Sequence, residues 1–169
     1  MRIDVVYTIS QIHPKVYLTG ITGVREGEIP EAVDTVITVC QDSVEENVSP
    51  DVGYKFFNMA DGPHDGRGDG TYELFEEAAD TLLERLSHGE TVLIHCHVGK
   101  SRSVSVSIAA LAAYEDVSYS EMRKQVEGAR PQASPKETLK EYTRMYVSGS
   151  SSSKAQQVAE RLQGEAEDE

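Results

Sequence analysis

Short apolar runs and amphipathic stretches alternate along the chain, and each predicts an element. Thr91-Val-Leu-Ile-His95 is β-branched and aliphatic with no polar alternation, the pattern of a strand buried on both faces. Thr35-Val-Ile-Thr-Val-Cys40 reads the same way, and Tyr54 to Met59 alternates weakly as a further strand. Val5 to Ile9 and Lys15 to Leu18 are short β-rich runs split by His13-Pro14, the first expected as an edge strand and His13 as a turn residue. Residues 21–34 read as a glycine-containing loop with a short helix around Pro30 to Val33. Helical periodicity is strongest at Leu74, Phe75, Ala78, Ala79, Leu82 and Leu86, and Gly89 suits the C-terminal end of that helix. Val104 to Tyr114 is apolar without a breaker, as in a buried helix. Ser118 with Glu121 has the form of a capping box, opening a helix to about Gly128. Ser134, Pro135 and Glu137 occupy the expected Ncap, N1 and N3 positions of a last helix that buries Leu139, Tyr142 and Tyr146.

Strands alternating with helices over 169 residues predict one α/β domain with a mostly parallel central sheet of four to five strands, flanked by helices. Its expected extent is residues 1–147. The Ser/Gly-rich and acidic stretch 148–169 is expected to be a disordered tail or a weak helix. The formal net charge is −13, of which the tail holds only a small part, so the acidity belongs to the whole surface. Such a surface disfavours nucleic acid and anionic membranes as partners. With so few lysines it also suits a salt-loving microbe. Two cysteines are too few for a disulfide framework or a structural zinc site. Neither a leader-like pattern at Met1 to Ser10 nor an apolar run of membrane-span length is present, which predicts a cytoplasmic protein, with monomer the expected state.

The chemistry concentrates between the Thr91 strand and the helix that follows. Cys96 and Arg102 bracket a tight polar loop, His97, Val98, Gly99, Lys100 and Ser101, with Ser103 just beyond. Strand, loop and helix in that order place a row of backbone N–H groups and the positive end of a helix dipole around one small anion. A cysteine there is favoured as thiolate, and Arg102 can grip a phosphoryl group with two parallel hydrogen bonds. The chemistry suggested is attack of sulfur on phosphorus. A sulfurtransferase loop usually has one residue fewer between Cys and Arg, so the spacing argues against that rival.

The run His95-Cys96-x5-Arg102-Ser103 resembles the active-site loop of cysteine-dependent protein tyrosine phosphatases, and Gly99 with the Arg-Ser ending is most similar to the dual-specificity branch. Val16-Tyr17-Leu18 before Thr19-Gly20, and Arg130-Pro131 before the final helix, add to the likeness. The family usually has Pro-Asn where this chain has Pro135-Lys136. The resemblance implies a phosphatase fold and no cofactor or metal. It implies Cys96 as nucleophile forming a phosphocysteine, Arg102 and the N–H groups of residues 97–102 as the oxyanion cradle, His95 as an orienting group, and Ser103 as a donor to sulfur. Asp61 is the expected general acid, from Met59-Ala60-Asp61 after a strand, with Asp65 and then Asp69 as the other candidates. The expected substrates are phosphotyrosine, phosphoserine and phosphothreonine in proteins. The basic His97 and Lys100 also resemble phosphatases of inositol or glycerol phospholipids, and a non-catalytic phospho-binding module is the alternative of a different class. In some similar phosphatases a cysteine at the position of Cys40 pairs with the nucleophile on oxidation; a small buried hydrophobe is the other reading of Cys40.

Overall fold

A computed structural model describes residues 9–61 and 70–149. Asp65, Asp69 and the tail from residue 150 lie outside the described residues, as does all of the Val5 run except Ile9. The described chain forms a five-stranded sheet: β1 (Ser10–His13), β2 (Val16–Thr19), β3 (Thr35–Val39), β4 (Gly53–Phe57) and β5 (Val92–His95), in the spatial order β1-β2-β5-β3-β4. Only the β1–β2 hairpin is antiparallel. β5 lies at the centre, pairing Val92 with Val16 on one side and with Thr35 on the other. Every residue of β5 is therefore buried, as its unbroken apolar run predicts.

Residues alternate between the two faces of β5. Val92 and Ile94 join the large core with α2 (Tyr72–Ser87), α3 (Arg102–Glu115), α4 (Tyr119–Ala129) and α5 (Glu137–Ser148). Leu93 faces the smaller cluster of Ile21, Val24, Val33, Val36 and Val44, which α1 (Ile21–Arg25) helps to cover. In α2, the Thr71 side chain accepts from the Leu74 N–H, and Phe75, Ala78, Ala79, Leu82, Leu83 and Leu86 turn inward. Gly89, at φ +80°, ends that helix in a left-handed conformation that most residues avoid. α3 is buried from Arg102 through Ala113 and packs against α2, α4 and α5.

Among the described residues the edge strand is Ser10–His13, with Ser10 and Gln11 pairing with Leu18 and Tyr17 across the hairpin. His13 sits at the hairpin turn, as expected, but its ring is buried: Nδ1 accepts from the Lys15 N–H and Nε2 lies 2.7 Å from a Glu115 carboxylate oxygen. The helices correct two sequence expectations. The short helix falls at Ile21–Arg25 rather than around Pro30 to Val33, where the chain only turns. The last helix begins at Glu137 with Lys136 as its N-cap, so Ser134 and Pro135 precede it in non-helical chain. The Ser134 N–H is instead bonded to the Lys100 carbonyl at 2.7 Å.

Candidate active site

The parallel strands set the site, because β3 and β5 deliver their C-terminal ends to one edge of the sheet. From β5 the chain turns through residues 96–101 into α3, whose first turn holds no acidic residue. The Cys96 sulfur, 2% exposed, accepts from the Gly99 N–H at 3.2 Å and lies 3.2 Å from the Ser103 hydroxyl. Gly99 has φ +80°, and a Cβ there would meet Arg130 Nη2 at 2.5 Å and the Gly20 nitrogen at 2.9 Å. A Cβ on Gly20 would in turn come within 2.9 Å of the Val98 carbonyl oxygen. Two glycines thus let the loop lie directly on the β2–α1 turn, where the Ile21 N–H donates to the His97 carbonyl at 2.9 Å.

Arg130 fastens the loop from behind. It is 1% exposed, and it donates to the Gly99 carbonyl at 2.7 Å, the Ser10 hydroxyl at 2.9 Å and the Leu18 carbonyl at 3.3 Å. Burial lowers its pKa, and the charge of Cys96 opposes that shift. The sequence showed Arg130 only as part of an Arg-Pro step; its grip on the loop needs the fold. Backbone donors from the α4–α5 connection also hold the loop: Ser134 N–H on the Lys100 carbonyl and Lys136 N–H on Ser101 Oγ at 3.1 Å.

His95 is fully buried, and burial pushes its pKa down to about 4. A neutral ring has one N–H, and the neighbours fix which nitrogen holds it. Nδ1 lies 3.0 Å from the Cys96 carbonyl, which can only accept, so Nδ1 carries the proton. Nε2 then accepts from Thr38 Oγ1 at 2.7 Å, and Thr38 Oγ1 accepts from the Tyr54 hydroxyl at 2.7 Å. Tyr54 in turn receives the Val44 N–H at 3.0 Å. This one-way chain from β4 through β3 to β5 holds the Cys96 carbonyl inward. Thr38 and Tyr54 carried no site signal in the sequence, because their role arises only from strand register.

Arg102 is buried beside the loop, with Nη1 donating to Gln41 Oε1 at 2.7 Å and to the Met59 carbonyl at 3.0 Å. Its Nε is buried and makes no hydrogen bond among the described residues, which leaves that donor of the fork without a partner. Asp61 follows β4 and meets the loop: the Ser101 hydroxyl donates to Oδ1 at 2.9 Å, and Lys136 Nζ lies 3.5 Å from Oδ2. Asp61, Cys96, Val98, Lys100, Ser101, Arg102, Ser134 and Lys136 line one cleft of about 250 Å³. His97 and Val98 stand at the rim, His97 4.0 Å from Asp42 and Val98 56% exposed. Cys40 lies one residue past the end of β3 and shares the buried cluster of Cys96. Burial raises its thiol pKa, and the nearby Cys96 charge adds to the rise.

A parallel sheet whose central strand feeds Cys-x5-Arg into a helix N-terminus defines the architecture of a cysteine-based phosphatase. The dual specificity phosphatase catalytic domain family matches residues 28–146, and the chain belongs to it. Dual specificity protein phosphatase 1 of Arabidopsis thaliana is 39% identical over 61 residues, 36% of this chain and 31% of that protein, so the match spans about a third of the curated relative. The fold is shared with DUSP15 (TM-score 0.75, 18% identity, 90% of this chain and 96% of that one). Human DUSP28 is similar too (TM-score 0.68, 20% identity, 82% and 91%). No helix among the described residues is long and apolar enough to cross a membrane.

Proposed function

We propose that the protein hydrolyses phosphoric monoesters through a phosphocysteine intermediate, with phosphotyrosine, phosphoserine and phosphothreonine of proteins as substrates. The observation that carries this is the Cys96 sulfur, set at the start of α3 within 3.2 Å of the Gly99 N–H and the Ser103 hydroxyl. Sulfur attacks phosphorus while Arg102 and the loop N–H groups hold the three non-bridging oxygens, where negative charge is stabilised through the transition state. Asp61 protonates the departing oxygen as the P–O bond breaks, a contribution of roughly 10²–10⁴ in rate. It then takes a proton from the water that cleaves the S–P bond, and Ser103 donates to the departing sulfur. One cleft of about 250 Å³ brings the sulfur, Arg102 and Asp61 together. Lys100 and Lys136 on its wall favour a second reading, a phospholipid or inositol phosphate headgroup.

Cys96→Ser is expected to abolish hydrolysis of p-nitrophenyl phosphate while tungstate still binds, and Arg102→Lys to fail because an ammonium lacks the two-pronged fork. Near-wild-type turnover in either variant overturns the mechanism, and an inactive wild type would favour a phospho-binding module. A panel of phosphopeptides against soluble and vesicle-borne inositol phosphates separates the two substrate readings. The same proposal includes a monomer working in the cytoplasm of a salt-adapted cell, a catalytic domain over residues 1–147, and a redox pairing of Cys40 with Cys96.

A further inference from the structure

Ser101 occupies the N-cap of α3, yet its side chain makes no cap hydrogen bond to that helix. Serine is among the preferred N-cap residues, and the bond it forgoes is typically worth about 1 kcal/mol. The hydroxyl is instead turned away and engaged twice. It accepts from the Lys136 N–H at 3.1 Å and donates to Asp61 Oδ1 at 2.9 Å. A backbone N–H can only donate, so the Lys136 contact fixes the direction of the pair, and the serine proton must point at Asp61. Ser101 is 7% exposed, so water has little access to compete for that proton.

We propose that Ser101 is the positioning residue of the general acid: by donating to Oδ1 it leaves the catalytic proton on Oδ2. This rests on the assignment of Asp61 as the acid. An oxygen already receiving a hydrogen bond is the poorer place for the carboxyl proton, which therefore sits on Oδ2. From Oδ2 the proton passes to the leaving-group oxygen as its bond to phosphorus breaks and the Sγ–P bond forms. Lys136 Nζ lies 3.5 Å from Oδ2. It is 65% exposed and free to turn toward the phosphate dianion once that enters the same cleft. By leaving its own helix uncapped, Ser101 also frees the first N–H groups of α3 for the phosphoryl oxygens. One residue thus couples the acid, the phosphate loop and the start of α5.

The test is the dependence of rate on the leaving group. Ser101→Ala is expected to lower kcat roughly tenfold on an alkyl phosphate, a fraction of the roughly 10²–10⁴ that a general acid supplies. On p-nitrophenyl phosphate, whose leaving group needs little protonation, the loss should be several-fold smaller. Ser101→Thr, which keeps the hydroxyl, should restore the alkyl phosphate rate. Should Ser101→Ala fail to fold, Lys136→Pro removes the N–H that orders the hydroxyl, at a φ of −73° that proline adopts. The same leaving-group-selective loss is expected there. Equal losses on both esters, or no loss, would mean that Ser101 only shapes the loop, and would overturn the inference. Asp61→Asn run alongside separates the two levels. If it shows no leaving-group-selective loss, the acid itself is misassigned; if it does and Ser101→Ala does not, only the role of Ser101 falls.

Discussion

His95 is enclosed between β3 and the phosphate loop with both ring nitrogens engaged, and it works as a neutral ring. Its pKa of about 4 lies below the ordinary 6.5, so as pH falls the unfolded chain takes up a proton that the folded chain refuses. The stability this supplies is complete above about 6.5 and is lost progressively as pH falls toward 4, on the order of 3 kcal/mol in all. Urea unfolding at pH 7 and pH 4.5 should show the drop in the wild type and a smaller one in His95→Asn. Equal drops would place the acid sensitivity elsewhere. The residues around His95 divide by how far the sequence could show them. Cys96, Arg102, Gly99 and Ser103 stand in one short motif whose spacing alone implies an anion cradle. Gln41, Thr38 and Tyr54 reach the same place from distant parts of the chain and nothing local marks them, and the Arg130-Pro131 step gives no sign that Arg130 grips the loop. Asp61 was visible as a candidate, but its tie to Ser101 depends on how β4 and the loop converge.

Among the elements, α2 was legible from its periodicity, α3 and the central strand from their unbroken apolar runs, and α4 from the Ser118 cap that opens it. The misplaced pieces are short or turned to another use. α1 has five residues, too few for a periodic signal, and the Ser134-Pro135 pair looks like a helix start but braces Lys100 instead. The pairing of β3 with β5 also bears on Cys40. Thr38 lies opposite His95, so the two strands run out side by side with Cys40 and Cys96 just past their ends. On the proposed pairing, mild peroxide should convert the Cys96 thiolate to a sulfenic acid, which Cys40 would attack with loss of water to give a disulfide. Intact mass should fall by two hydrogens in the wild type, and a dithiol should restore its activity fully, whereas Cys40→Ser should recover poorly. If both proteins recover alike without the mass change, Cys40 serves packing alone.

At the scale of the molecule, a net charge of −13 surrounds a cleft walled by Arg102, Lys100 and Lys136. Surface self-repulsion loosens a fold in dilute buffer, and added salt screens it. Thermal midpoints from low to molar potassium chloride should rise, and a flat response would mark an ordinary acidic protein rather than a salt-adapted one. The same salt should raise KM for phosphate esters by screening the three cations. The loop at the centre of that cleft is built in two registers. Cys96, Gly99, Ser101 and Arg102 are buried and bound, whereas His97, Val98 and Lys100 project outward. A library randomised at those three outward positions would therefore vary what the protein prefers while leaving the means of cleavage in place, which makes this loop a starting point for retargeting by laboratory evolution.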